Sequence, residues 1–200
     1  MVAVHIRGGD KAKETRWDAH LAEFGPKAYF ESAFELRAKA VAANEAAGYE
    51  RWPVPTVLFL ATDEPPIIKV ADTVFADLLA KEVAEFPSMK SRGFRLLYDR
   101  TLLRHHSMAG FLSMNKDKSL DSAQEVITDT MLIANADYII GTCSSTVSVV
   151  AGQMYFAKML TRANVTQGFH APLRFDKTPC SRRGNREFQF ATFADGWTIE

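Results

Sequence analysis

Short apolar runs of strand length alternate along this chain with longer segments in which apolar residues return at helical spacing. The first run, Val2-Ala3-Val4-His5-Ile6, is apolar and β-branched and stops at Arg7-Gly8-Gly9-Asp10-Lys11. Residues 12–25 are polar and mixed and read as a loop. Pro26 opens a helix to about Ala47, with Phe30, Phe34 and Val41 on one side, Glu35 and Lys39 at i,i+4, and Gly48 as a natural stop. Arg51-Trp52-Pro53-Val54-Pro55 is a stiff connector into Thr56–Thr62, whose unbroken apolar character predicts a central strand. Asp63-Glu64 end that strand, and Pro65-Pro66 set the first turn of a second helix. Ile67, Ala71, Val74, Phe75, Leu78 and Leu79 share a face of it, and it ends near Phe86-Pro87. Phe94–Tyr98 is a third strand, and residues 99–122, lacking any period, read as a surface loop. Ser122–Ala136 is helical, Asp137–Gly141 is a fourth strand, and Thr142-Cys143-Ser144-Ser145 leads into a helix from Thr146 to about Leu160.

This order predicts an α/β fold: a Rossmann-like parallel sheet flanked by helices, with right-handed crossovers. Residues 1–160 make the domain, and 161–200 are a C-terminal tail or covering segment with a strand pair such as Glu187–Phe193. With 200 residues, 47% of them hydrophobic, the chain can bury a core. Its 24 basic and 24 acidic residues cancel, so nothing global draws it to nucleic acid or an anionic membrane, and any anion site is local. There is no eighteen-residue apolar run and no signal-peptide pattern, so neither a membrane segment nor a targeting signal is expected in this sequence. Cys143 and Cys180 are read as thiols.

Candidate chemistry gathers at the strand ends. In a parallel sheet the carboxyl ends of the strands border a ligand crevice, and Arg7 stands at the end of the first. Its planar fork of donors suits phosphate oxygens, and Gly8 and Gly9 admit close backbone approach; a solvated turn is the plain alternative. Asp63 and Glu64 share that edge and would bind Mg²⁺, bind sugar or nucleotide hydroxyls, or only cap the next helix. Asp129 sits among Val126, Ile127, Met131, Leu132 and Ile133, so its helix reads as apolar almost all round and its carboxylate as needing a partner or ligand. Ser144-Ser145 precede a helix whose free N–H groups they cap, or whose start binds phosphate. His105 and His106 diverge as neighbours, have no third ligand at metal spacing, and read as solvated. Cys143 before a helix start raises a thiol hydrolase, for which no histidine is placed nearby in sequence.

VHIRGGDK, LATDEP and ITDTMLIANADYIIGTCSSTVSVVA, in this order and each at a strand end, resemble the three conserved segments of the α1,6-fucosyltransferase family, which includes N-glycan core and rhizobial Nod-factor fucosyltransferases. The resemblance covers about residues 2–157. It implies the C-terminal donor domain of a two-domain GT-B glycosyltransferase, inverting transfer of L-fucose from GDP-fucose to a glycan hydroxyl, no metal, and no cofactor beyond the donor substrate. It implies a glycan acceptor such as an N-glycan core, and the Golgi lumen in a eukaryote. By resemblance Arg7 grips the diphosphate, His5 and Asp129 recognise guanosine, Asp63 and Glu64 match the family's acidic pair, and Ser145 matches the serine over the phosphates. Lys11 and Glu14 match the lysine and glutamate that activate the acceptor hydroxyl, Glu14 one residue out of register and Asp10 a reserve base. Gly8 stands where the family has a second arginine. In the family an acceptor-binding half precedes the donor half; Met1 lies against the first donor strand, so a chain without that half is expected. The alternative is an inactive nucleotide-sugar-binding domain or a truncated fragment.

Overall fold

The computed structural model describes residues 1–6, 26–50, 52–99, 116–141 and 145–165. They form strands β1 (Val2–Ile6), β2 (Val57–Thr62), β3 (Arg95–Leu97) and β4 (Tyr138–Ile140). The helices are α1 (Pro26–Ala47), α2 (Pro65–Glu85), α3 (Lys116–Ala134) and α4 (Thr146–Val165), with a 3₁₀ turn at Pro87–Arg92. The described strands make one all-parallel sheet in the order β3-β2-β1-β4, so the expected α/β, Rossmann-like architecture is present. Val4 lies opposite Leu60 on one side and Ile140 on the other.

Strand alternation sends successive side chains to opposite layers. Val2, Val4, Ile6, Leu58, Leu60 and Ile140 meet α1 and α2, while Ala3, Phe59, Ala61 and Ile139 meet α3 and α4. The two layers differ in bulk. Phe30, Phe34, Phe75 and Phe94 fill the first with ring centroids 5.0–6.4 Å apart in tilted and edge-to-face pairs, an arrangement that suits the ring quadrupole. The second is lined largely by alanines, Ala3, Ala61, Ala134, Ala136 and Ala151, which let its helices come close to the sheet.

Polar locks close the amino edge of the sheet. Arg37 of α1 is fully buried; its Nε donates to Pro55 O at 2.9 Å and its Nη2 to Gly93 O at 3.0 Å. Its Nη1 forms an ion pair with Glu82 of α2, and the guanidinium lies 4.8 Å from the Phe94 ring centroid. One side chain thereby ties both helices to the segments that enter β2 and β3. The Glu82 Oε1 atom is buried without a hydrogen-bond partner among the described residues, so that carboxylate leans on Arg37 for its charge. Asn44 clasps Trp52 through two bonds, Nδ2 to Trp52 O at 2.8 Å and Trp52 N–H to Oδ1 at 2.7 Å, which docks the connector before β2. The Tyr138 hydroxyl donates to Pro53 O at 2.9 Å; burial first, and then the neighbouring Asp137 carboxylate and Tyr155, hold its phenol protonated far above the ordinary tyrosine range.

Several boundaries differ from expectation. α3 begins at Lys116, inside the stretch read as loop, because Lys116-Asp117-Lys118-Ser119 has no apolar position for a periodicity to register. α4 runs to Val165 rather than about Leu160, since no glycine or proline stands between them to end it. The 3₁₀ turn after α2 was not anticipated; it buries Met89, whose N–H donates to Phe86 O at 2.9 Å. The expectation of a helix buried all round at Asp129 is corrected: Val126, Ile127, Met131 and Leu132 are exposed, and only Ile133 and Ala134 of that stretch are buried. No described helix is long and apolar enough to cross a membrane.

Removing either partner of the Arg37–Glu82 pair strands a buried charge, so Arg37→Ala or Glu82→Ala should each cost about 3–5 kcal/mol in urea unfolding. Arg37→Met combined with Glu82→Leu should cost clearly less than the sum of the single changes. Because the folded state keeps the Tyr138 proton more tightly than the unfolded chain does, its contribution is complete below about pH 10 and is lost above it. Unfolding free energy should therefore fall more steeply above that pH in the natural chain than in Tyr138→Phe.

Candidate functional site

The chain passes outward from β1 to β2 to β3 and then returns to the far side of β1 to lay down β4. The helices that follow β1 and β4, α1 and α4, lie on opposite faces of the sheet, so the carboxyl ends of these two strands are its topological switch point, the place where an open parallel sheet binds ligands. His5 is the penultimate residue of β1, Gly141 follows β4 directly, and Ser145 precedes α4.

The described side chains close this junction with one short bond. His5 Nδ1 and Ser148 Oγ are 2.7 Å apart, both residues buried, joining β1 to the first turn of α4. Gly141 makes the approach possible, since a Cβ there would fall 2.7 Å from Ser148 Oγ and 3.0 Å from Ser148 Cβ. Ser145 is fully buried and caps α4: its carbonyl accepts from Val149 N–H at 3.0 Å, and its hydroxyl lies 3.5 Å from Ser148 N, a long and weak capping bond.

On the other side of β1, Thr62 lies opposite Ile6 and its Oγ1 accepts from Glu64 N–H at 3.2 Å. Glu64 stands at the cap position of α2, where its carbonyl accepts from Ile67 N–H at 3.1 Å. Its side chain makes no capping bond, so the helix-cap alternative fails for this carboxylate, which is nevertheless buried at only 7% exposure. Asp63 beside it is half-buried. Asp129 is also half-buried, one turn before Ile133. α3 leads into β4 of a parallel sheet and so runs against the strands, which puts Asp129 about 6 Å nearer the carboxyl edge than Ile133.

The structure thus brings His5, Asp63, Glu64 and Ser145 to one edge of three adjacent strands. Arg7, Asp10, Lys11, Glu14, Cys143 and Ser144 lie outside the described residues, as do His105, His106 and Cys180. Among the described residues no group of three or more histidines, cysteines or carboxylates could hold a metal ion. Ser148 and Gly141 were missed as site residues. A signal existed: Ser148 begins a stripe continued by Ala151 and Tyr155 on the buried face of α4, where a hydroxyl needs a partner.

Comparison of the chain with family models, curated proteins and solved structures gives no match. Fold and edge define the class: an α/β, Rossmann-like domain with its topological switch point between β1 and β4.

Because the Ser145 hydroxyl bond is long, Ser145→Ala should cost only about 0.5–1 kcal/mol, the low end for an N-cap, as read by urea unfolding. A loss above about 2 kcal/mol would mean that the buried hydroxyl does more than cap.

Proposed function

We propose that the chain binds the GDP-fucose donor of an α1,6-fucosyltransferase-type reaction at the carboxyl edge of β1, β2 and β4, as the donor domain of a GT-B-like enzyme. One observation carries this reading. The three segments that resemble that family supply three neighbouring strands, with β1 paired to both of the others, so that the strands within VHIRGGDK, LATDEP and ITDTMLIANADYIIGTCSSTVSVVA finish at the same edge. Segments far apart in sequence would then act on one ligand.

In this reading the guanosine meets His5 and Asp129, and the diphosphate meets Arg7 and the start of α4 behind Ser145. Departure of GDP places negative charge where a guanidinium and the N-terminal end of a helix stabilise it. The acceptor hydroxyl attacks the anomeric carbon opposite the departing phosphate, which inverts the centre. Glu14 takes the hydroxyl proton, with Lys11 orienting it and Asp10 in reserve. Asp63 and Glu64 meet hydroxyls or backbone donors rather than a metal. In a eukaryote the reaction would belong to the Golgi lumen, with a glycan such as the N-glycan core as acceptor. Gly8, where the family has a second arginine, favours one further reading: a nucleotide-sugar-binding domain that transfers nothing.

Calorimetry with GDP and UDP should find GDP preferred; equal or absent binding would remove the guanine assignment. Arg7→Ala should weaken GDP binding by about 1.5–3 kcal/mol, the range for a charge-assisted bond. Chelator should leave GDP binding intact, whereas loss restored by Mg²⁺ or Mn²⁺ would assign a metal to the carboxylates. Incubation with GDP-fucose and an N-glycan of unmodified core separates the two readings: a fucosylated product supports transfer, and GDP binding without product supports the binding domain.

A further inference from the structure

We propose that Ser148 is the positioning residue for His5, fixing the imidazole through Nδ1 so that its other nitrogen, Nε2, meets the nucleobase in one set orientation. Gly141 is the opening that allows it. This inference rests on the reading of the β1/β4 edge as a nucleotide site.

A histidine at a strand end has a broad second torsion, so the backbone alone does not set its ring. The 2.7 Å bond from Nδ1 to Ser148 Oγ constrains the ring, and the bond is buried, where a hydrogen bond is electrostatically stronger than in water. A serine hydroxyl both donates and accepts, while a neutral imidazole has one nitrogen of each kind. The state of the bond at Nδ1 therefore dictates whether Nε2 offers a proton or a lone pair to the base. Ser148 reaches the ring only because position 141 has no side chain: a Cβ there would sit 2.7 Å from the hydroxyl, inside contact distance, and 4.0 Å from the His5 Cβ. The glycine after β4, the serine in the first turn of α4 and the histidine near the end of β1 thus form one unit, contributed by both strands of the switch point.

The test is a double-mutant cycle read by calorimetry with GDP, joined to long-range ¹H–¹⁵N correlation of the imidazoles in the ligand-free chain. Ser148→Ala should weaken GDP binding about 2- to 13-fold, the scale of one hydrogen bond, in a chain that carries His5. In a His5→Ala background the same change should have no further effect. Gly141→Ala should act like Ser148→Ala when single and add nothing to it when combined. In the ligand-free chain, Ser148→Ala and Gly141→Ala should both move the His5 Nδ1 resonance. An equal loss of affinity from Ser148→Ala with and without His5 would overturn the proposal, since the serine would then act through α4 alone. Failure of the natural chain to bind GDP would remove the nucleotide reading, and the Nδ1 resonance would then decide: displacement by both variants supports the positioning role, and an unchanged resonance overturns it.

Discussion

β1 is hydrogen-bonded to a parallel neighbour on each side, five of its residues paired with β2 and three with β4, and this double pairing is the constraint on which the rest of the structure depends. Every residue of the strand is buried, so its even positions must be met by one helical layer and its odd positions by another. Parallel neighbours require long crossovers, and those crossovers are the helices that cover the two faces. With β2 and β3 on one side and β4 on the other, the order of the strands reverses at β1.

The two edges of the sheet are closed by different chemistry. At the amino edge Arg37 spends its donors on Glu82, Pro55 and Gly93 and stacks on Phe94, an assembly that locks helices to strands with its charge at the end of the sheet opposite His5 and Ser145. At the carboxyl edge the described residues include a short bond between His5 and Ser148 over a glycine. The bulky aromatic layer holds the first edge rigid, and the alanine-lined layer lets α4 approach closely enough to build the second.

Most of the architecture was legible because strand length, helical spacing and turn residues speak for local structure. Val2–Ile6 and Val57–Thr62 stand out as buried strands, and Pro26 and Pro65 mark the starts of α1 and α2. Boundaries without apolar content were not legible, as at Lys116, nor was the 3₁₀ turn around Met89, whose burial follows from tertiary packing. Of the candidate site, the residues at strand ends could be found from sequence, because a parallel sheet gathers them at one edge. Arg37 and Gly141 could not, since each matters through a partner distant in sequence and an arginine in a helix ordinarily faces water; Ser148 left only the trace of its place on the buried stripe of α4, which does not name its partner. The expectation that the helix around Asp129 is covered on nearly every side erred, since Ile127 and Met131 remain exposed and apolar content alone does not say which face is covered.

The central claim is that a nucleotide seats at the edge where β1 and β4 part. Mapping amide shifts by NMR as GDP is added to the chain tests it most directly. The prediction is that the largest changes fall on His5, Ile6, Gly141, Ser145 and Ser148, with β3 and the Arg37–Glu82 region unmoved. Shifts concentrated at the amino edge, or spread over the outer faces of α3 and α4 with His5 and Ser148 silent, would contradict it.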